Sequence, residues 1–534
     1  MKQNRSFIKR QCMKTLKLNE WTHRGAIGRW FALLLIAAGM QTLVLPSLQA
    51  ATTKKEITDS GITSAVEKGL IMEKGVSPND VDVSTSQGIV TLSGSVDNLL
   101  AKERAVKITE CIRGVLGVID RTTVTPVSRP DEDIRKDILT ALLQDPATES
   151  YQVTVSVQDA VATLTGSVGS YAEKQLAARV AKGVKGVKEV HNGVMINYLA
   201  KRTDSEIAAD IKARLQWDIW INGGVINPVV KNGNVTLTGT VGSVISDSRA
   251  FDDAWVNGVM SVDASGLKVD PNVRLDAQRM FKFANRPDSE IKQAILAALR
   301  LDPRVTAFSP DITVEDGAVI LDGSVGNLKV KTAAEQDAIN IFGVWRVENF
   351  LKVRLKMKEW PTDSEMQKQL KAALLWDSLL NNSAIDVAVI NRVAYLSGAV
   401  DSSFQKAEAQ DVASRIKGVA EVRNHLKVET DFSITYYDWP NYSYDNQPLN
   451  FVSETFEPRP FLSDEQIKKS IEDALFWSPF VHSDDITVTV DGGVATLTGT
   501  VGTWIGYGEA DKDAHKSGAT AVLNRVTVNK GHWW

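Results

Sequence analysis

The sequence has few of the residues on which catalysis and metal binding depend. Its 534 residues include two cysteines, Cys12 and Cys111, and six histidines that never recur at metal-ligand spacing. It contains no P-loop and no G-x-S-x-G nucleophile elbow. We therefore predict no catalytic residue, no metal, no cofactor and no small-molecule substrate, and we do not expect the chain to be an enzyme.

Excess positive charge is also missing once the first fifty residues are set aside. Those residues carry eight basic side chains and one acidic side chain, whereas the whole chain has 61 basic and 65 acidic residues. The remainder holds 53 basic and 64 acidic residues, a net charge of −11. Because phosphate neutralisation needs a basic surface, the charge balance argues against nucleic acid as a partner.

Long hydrophobic runs are absent as well. An apolar run from Trp30 to Met40 is too short to predict a transmembrane helix. It follows a basic segment and precedes small residues at Ala50 and Ala51, which is the order of a secretory signal peptide. We expect residues 1–50 to be a signal peptide, either cleaved or retained as an inner-membrane anchor. Cleavage would leave Cys111 alone, so no disulfide could form within the mature chain.

One phrase, G-x-V-x-L-x-G-x-V or a close variant, occurs six times. Its second glycine recurs at intervals of 72 to 101 residues, at Gly94, Gly166, Gly239, Gly323, Gly398 and Gly499. Apolar residues alternate through the phrase and through the run before it, which indicates two half-buried strands. Dipeptides such as Asn232-Gly233 lie between the runs and favour a tight turn, so each copy predicts a β-hairpin.

Helices are predicted on both sides of each hairpin. Upstream, Thr203 with Glu206 and Thr362 with Glu365 match the capping box, and apolar residues follow at helical spacing. Downstream, an alanine-rich helix ends at a glycine and a strand follows. The predicted fold class is α+β, with six tandem αββαβ modules that each pack two helices on a three-stranded sheet. We place these modules at residues 55–126, 130–198, 203–270, 286–355, 361–429 and 463–529.

The recurring acids and glycines have structural interpretations. The acidic clusters are expected to cap helices and interact with helix dipoles rather than to carry out acid–base chemistry. The six hairpin glycines are expected to allow close approach of a packed helix rather than to bind phosphate. Ala160 and Arg392 stand where the turn glycine is expected in copies two and five, so these two turns are predicted to differ from the others.

The assembled pattern resembles the BON domain family. Residues 418–428 match the family's last element, G-V-x-x-V-x-N-x-L-x-V, and Asn192 and Asn349 occupy the same asparagine position in other copies. The resemblance covers nearly all of residues 55–530. It implies export to the bacterial periplasm and non-catalytic binding. For this family, which includes an osmotically inducible periplasmic protein, phospholipid binding and a chaperone-like role for envelope proteins have both been proposed.

Aromatic residues break the symmetry of the copies. Trp217, Trp376 and Trp477 end the first helix in copies three, five and six, where each could plug a core or form an amphipathic rim that contacts lipid or protein. Residues 430–462 form an aromatic and proline-rich linker that either packs on the modules or presents its aromatics to a partner. The candidate contact residues of the linker are Tyr436, Tyr437, Trp439, Tyr442 and Tyr444.

Three functions remain open at this level. The first is an envelope protein that binds phospholipid surfaces through several weak modules, in envelope or osmotic stress protection. The second is a periplasmic holdase for outer-membrane or secreted proteins, and the third is an architectural scaffold of an envelope assembly. The expected partners are therefore a membrane phospholipid surface or envelope proteins.

Overall fold

A computed structural model describes most of the chain after residue 55. The described residues are 56–72, 80–145, 147–148, 151–198, 200–221, 225–271, 286–305, 310–354, 361–380, 384–400, 403–428, 462–519 and 521–528. The predicted signal peptide and the five aromatic candidates of the linker lie outside them. The described residues belong to one compact unit that starts at Glu56, so contacts between copies can be compared directly.

Each copy folds as predicted, in the order helix, strand, strand, helix, strand. We number the copies as modules 1 to 6 in chain order. Every first helix has 14 residues and starts at an aspartate, because an acid in the first turn interacts favourably with the helix dipole. The first helices are Asp59–Met72, Asp131–Gln144, Asp204–Trp217, Asp288–Leu301, Asp363–Trp376 and Asp464–Trp477.

The predicted capping boxes are confirmed in two modules. Thr203 and Glu206 exchange the two reciprocal hydrogen bonds at the start of the module 3 helix, and Thr362 and Glu365 do so in module 5. The second helices lie between the hairpin and the last strand. They are Leu99–Glu110, Tyr171–Lys182, Val244–Ala254, Leu328–Ile339, Ser403–Arg415 and Trp504–Lys516.

The second strand is central in every sheet. It runs antiparallel to the first strand and parallel to the third, which is the topology that an αββαβ unit requires. The first strands are Val81–Ser86, Gln152–Gln158, Val225–Lys231, Asp311–Glu315, Ala384–Ile390 and Ile486–Asp491. The second strands are Ile89–Val96, Val161–Val168, Asn234–Val241, Ala318–Asp322 with Ser324–Val325, Val393–Val400 and Val494–Val501.

The third strand is interrupted in four modules. The third strands are Gly117–Asp120 with Thr123–Val124, Glu189–Asn192 with Met195–Ile196, Ser261–Val269, Arg346–Asn349 with Lys352–Val353, Glu421–Asn424 with Lys427–Val428, and Ala521–Val528. At the interruption in module 5, Asn424 donates from Nδ2 to the Lys406 carbonyl at 2.8 Å and accepts from the Leu426 N–H at 3.2 Å. This asparagine therefore ties the third strand to the second helix.

The core of each module lies between the sheet and its two helices. In module 2, Ile134 and Ile138 of the first helix and Leu164 of the second strand are fully buried against Ala177 and Ala181 of the second helix. The alanines let the second helix approach the sheet closely. Truncating one of the buried large residues to alanine would cost about 2–5 kcal/mol.

Candidate functional site: module junctions and hairpin ends

The first aspartate of every first helix holds the hairpin turn of its own module. In module 2, the Asp131 carboxylate accepts the Asp159 N–H and the Ala160 N–H, both at 2.9 Å. The same pair of bonds recurs in all six modules, always to residues 28 and 29 positions later. We call this contact the aspartate clamp. It gives the acid a hairpin-binding role beyond the predicted helix capping.

The expectation that two turns would differ is wrong. Ala160 has φ of 63° and Arg392 has φ of 68°, close to the 75° of Gly233 in module 3. A non-glycine residue pays a steric cost in this left-handed region. The clamp fixes both turn amides and so offsets this cost, which explains why modules 2 and 5 keep the same turn without its glycine.

Five of the six hairpin glycines lie in the second strand, and Gly323 lies at the interruption of that strand in module 4. The prediction that a packed helix approaches them was wrong for the four glycines whose contact is described. Gly166 has φ of 129°, and a Cβ built on it would lie 2.0 Å from the Gln152 carbonyl oxygen. That oxygen belongs to the first strand, not to a helix. Gly94, Gly398 and Gly499 meet the equivalent backbone oxygen at 2.0–2.1 Å. These four glycines therefore serve strand pairing within the sheet, whereas a Cβ on Gly323 would have only Leu351 Cδ2 near it, at 3.9 Å.

The three tryptophans join different modules. The carbonyl oxygens of Trp217, Trp376 and Trp477 accept hydrogen bonds of 2.8–2.9 Å from backbone N–H groups that follow the second helix of another module. The donors are Phe342, Lys185 and Arg113, respectively. Module 3 thus docks on module 4, module 5 on module 2, and module 6 on module 1. We call these contacts junctions 3–4, 5–2 and 6–1.

Side-chain packing follows the same pairing. Trp217 packs against the core of module 4 and Trp376 against the core of module 2, while Trp477, only 9% exposed, belongs to the core of module 1. The sequence offered two interpretations, a plug for the core and an exposed rim. In the structure each tryptophan reaches the core of a partner module. A role in binding lipid or protein stays a prediction.

Further contacts connect these pairs. Tyr171 of module 2 stacks on Trp255 of module 3 with ring centroids 3.9 Å apart, and Trp220 of module 3 meets Phe480 of module 6 edge-on at 5.2 Å. Asn98 of module 1 donates to the Ser378 carbonyl of module 5 at 3.2 Å. The modules are therefore not independent units on a string.

We call Trp217, Trp376 and Trp477 the anchor tryptophans. In two junctions the residue directly after the anchor tryptophan is a buried aspartate, Asp218 or Asp377. Asp218 accepts the Trp220 N–H at 2.6 Å and pairs with Arg249 at 2.6 Å, and Asp377 accepts the Leu379 N–H at 2.9 Å. Both are nearly inaccessible to solvent. The residue at the equivalent position of module 6 is the neutral Ser478. Sequence reasoning did not single out this position, although an aspartate follows two of the three tryptophans.

Apolar side chains are exposed at the hairpin end of several sheets. Leu116 lies over the turn glycine of module 1, and Met260, which is 68% exposed, lies over that of module 3. Ile390 directly precedes the turn of module 5 and is also exposed. In module 4, the half-buried Trp345 donates from its indole N–H to the Asp316 carbonyl of the turn at 2.9 Å. These four residues define what we call the hairpin-end surface.

The described residues show no alternative site with obvious chemistry. They contain no group of three histidine, cysteine or acidic side chains arranged to hold a metal ion. Within the same residues, no helix combines the length and apolar character needed to cross a bilayer.

The model of the BON domain matches the chain six times, over residues 58–126, 130–198, 203–271, 287–354, 362–430 and 463–530. The chain belongs to the BON domain family. The recognition of six BON copies and the αββαβ fold class are both confirmed.

Two curated relatives share this domain arrangement in part. The chain is 35% identical to the osmotically-inducible protein Y of Escherichia coli over 141 residues, which cover 25% of this chain and 70% of the relative. It is 32% identical to the outer membrane lipoprotein DolP of Haemophilus influenzae over 188 residues, 34% of this chain and 91% of that protein. A solved structure of CdsD, a type III secretion protein of Chlamydia trachomatis, covers 38% of this chain and 88% of its own, at 15% identity and a TM-score of 0.11, too low to support any argument.

Proposed function

We propose that the chain is a non-catalytic, periplasmic envelope protein that binds phospholipid membrane surfaces through its BON modules, in envelope or osmotic stress protection. The observation that carries the proposal is the hairpin-end surface of modules 1, 3, 4 and 5. The names of the relatives, an osmotically-inducible protein and an outer membrane lipoprotein, support the same setting.

Several weak contacts on one compact body explain how such binding becomes useful. A fully buried leucine or methionine side chain contributes about 1.5–3 kcal/mol, and one such contact alone gives weak binding. The junctions fix the modules to one another, so a second contact forms at high effective concentration. Because the chain after residue 50 has a net charge of −11, apolar insertion rather than attraction to anionic lipid supplies the affinity.

Co-sedimentation with vesicles tests the proposal. The full chain should bind vesicles of zwitterionic phosphatidylethanolamine and phosphatidylcholine, and an anionic lipid should not strengthen binding. The double variant Leu116→Glu with Met260→Glu should lose most of it. A matched control is Leu143→Glu with Leu375→Glu, since both leucines are exposed on first helices away from the hairpin ends. Equal binding by both double variants would reject the hairpin-end surface.

An architectural scaffold is the second candidate, because the junctions pack the modules together. It predicts no binding to any vesicle while the junction contacts persist. A holdase would depend on the linker, residues 430–462, since the three tryptophans pack in junctions. Deleting the linker would then abolish suppression of client aggregation and leave lipid binding intact.

A further inference from the structure

Junctions 5–2 and 3–4 share an arrangement that junction 6–1 lacks. In each of the first two, the aspartate after the anchor tryptophan forms an antiparallel bridge to the partner module, Asp377 with Val184 and Asp218 with Ile341. The backbone on both sides is fixed by further hydrogen bonds, such as that from the Ser378 N–H to the Gly183 carbonyl at 2.9 Å. The carboxyl group therefore cannot leave the junction while the modules stay docked.

A second acid lies near each of these aspartates: Asp253 near Asp218, and Glu408 near Asp377. Asp253, 1% exposed, lies beside Asp218, and one of its oxygens accepts from Arg214 Nε at 2.9 Å. Its other oxygen, Oδ2, is buried and has no hydrogen-bond partner. An ionised carboxylate with an unpartnered buried oxygen is costly, whereas a protonated one can donate to its neighbour.

We propose that junctions 5–2 and 3–4 are proton-controlled: they hold firmly while one buried carboxyl in each is protonated, and they loosen as it ionises. Junction 6–1 does not respond, because Ser478 replaces the aspartate. Loosening would release Trp376 and Trp217 from the partner cores.

The surroundings of each carboxyl favour its protonated form. Burial raises the pKa of Asp377 to about 7, with the nearby Glu408 adding to the rise. Burial also raises the pKa of Asp253 to about 8, with Asp218 adding to the rise. The other charged groups that face these two carboxyls or their arginines are Lys185, Asp145, Asp411 and Arg415 at junction 5–2, and Arg214, Arg249, Asp252, Asp302, Arg304 and Asp337 at junction 3–4.

The direction of the effect follows from proton linkage. In this proposal undocking exposes each carboxyl to water, where it ionises near the ordinary aspartate pKa of 3.8, whereas burial in the docked state raises its pKa. The contribution to docking is therefore complete below that ordinary pKa and is lost as pH rises through about 7 at junction 5–2 and about 8 at junction 3–4. Within that window docking weakens about tenfold per pH unit for each carboxyl.

Hydrogen–deuterium exchange of the full chain from pH 5.5 to 8.5 tests the proposal, with rates corrected for the intrinsic pH dependence of exchange. The reporting amides are Lys185 and Ser378 for junction 5–2, Phe342 and Ile219 for junction 3–4, and Arg113 for junction 6–1. Protection should fall about tenfold per pH unit at the first two junctions, up to their respective limits, and stay constant at the third.

Two variants separate ionisation from loss of structure. Asp377→Asn keeps an oxygen for the Leu379 N–H, and Asp377→Ser installs the residue of module 6. In both, protection at junction 5–2 should no longer depend on pH, while junction 3–4 in the same molecule keeps its trend. Constant protection in the unmodified chain, or an unchanged trend in Asp377→Asn, would overturn the proposal.

Discussion

Replacing Asp131 by alanine should unfold the hairpin of module 2 locally. The change removes two hydrogen bonds to an ionised acceptor, at 2.9 Å each, and one negative charge from the helix N-terminus. A bond to a charged group contributes about 1.5–3 kcal/mol, and a charge at a helix terminus about 0.3–1 kcal/mol. Because Asp131 is half-exposed, we take the lower ends and expect a loss of about 3 kcal/mol.

The turn itself amplifies the effect in module 2. Ala160 adopts a φ of 63°, where an alanine costs about 1–2 kcal/mol relative to glycine. Without the clamp, the turn is expected to relax to another conformation, and the register of the two strands loosens with it. The double variant Asp131→Ala with Ala160→Gly should therefore recover about 1 kcal/mol, because glycine keeps the left-handed turn without support.

Exchange protection of residues 152–168 measures both changes, with the module 4 hairpin as an internal reference. Asp133→Ala is the matched control, since Asp133 lies in the same helical turn and is exposed. If the hairpin amides are as well protected from exchange in the Asp131→Ala variant as in the Asp133→Ala variant, Asp131 acts only as a charge at the helix terminus and the clamp does not contribute to stability.

Three further predictions follow from single contacts. Trp376→Ala should lower stability by about 3–5 kcal/mol and abolish the exchange protection of the Lys185 amide, while the Arg113 amide stays protected. An equal loss of protection at both amides would show that junctions 5–2 and 6–1 do not open independently. Asn424→Asp should destabilise module 5 by about 1–3 kcal/mol in chemical denaturation, because a carboxylate oxygen would face the Lys406 carbonyl in place of the donating amide. An unchanged denaturation midpoint would contradict the role of Asn424. Glu103→Gln should change stability by less than about 1 kcal/mol, since Glu103 is exposed to solvent in its pair with Lys182. A larger change, measured as a shift in melting temperature, would mean that this contact between modules 1 and 2 supports docking.

The module was predictable because its signals are local. Alternation, capping residues and turn dipeptides lie within a few positions of the structure they specify, as at Thr203 and Glu206. The turn at Ala160 was misjudged because its support comes from Asp131, 28 and 29 positions earlier. That spacing is constant in all six copies, so the sequence did contain the signal, but only as an acid and a turn at fixed separation.

The junctions were not predictable from one sequence. Tryptophan at the end of three first helices marked modules 3, 5 and 6 as different, but nothing local states which module each would meet. Docking depends on the complementary end of a second helix, such as the backbone around Lys185 or Phe342. There an apolar residue, one variable residue and Gly-Val follow one another, but this pattern also occurs at Ile416 to Val419 and so does not mark the partner of a particular tryptophan. The neighbour of the strand glycines was mispredicted for a similar reason. The atom that excludes a side chain there is a backbone oxygen, which every residue carries and which therefore leaves no signal in the sequence.

The pairing of modules has a consequence for how their functions can be divided. Modules 3 and 4 are neighbours in sequence, so residues 200–354 contain a complete junction. Modules 1 and 6 are not neighbours, yet Trp477 of module 6 belongs to the core of module 1. Module 1 cut out alone would expose the surface that Trp477 covers, and an exposed apolar surface binds lipids and unfolded proteins without specificity. Binding by isolated module 1 would therefore not demonstrate a native site. Residues 200–354 contain a whole junction but still expose Trp255 and Trp220, which Tyr171 and Phe480 cover in the full chain, so a native site has to be demonstrated on the full chain.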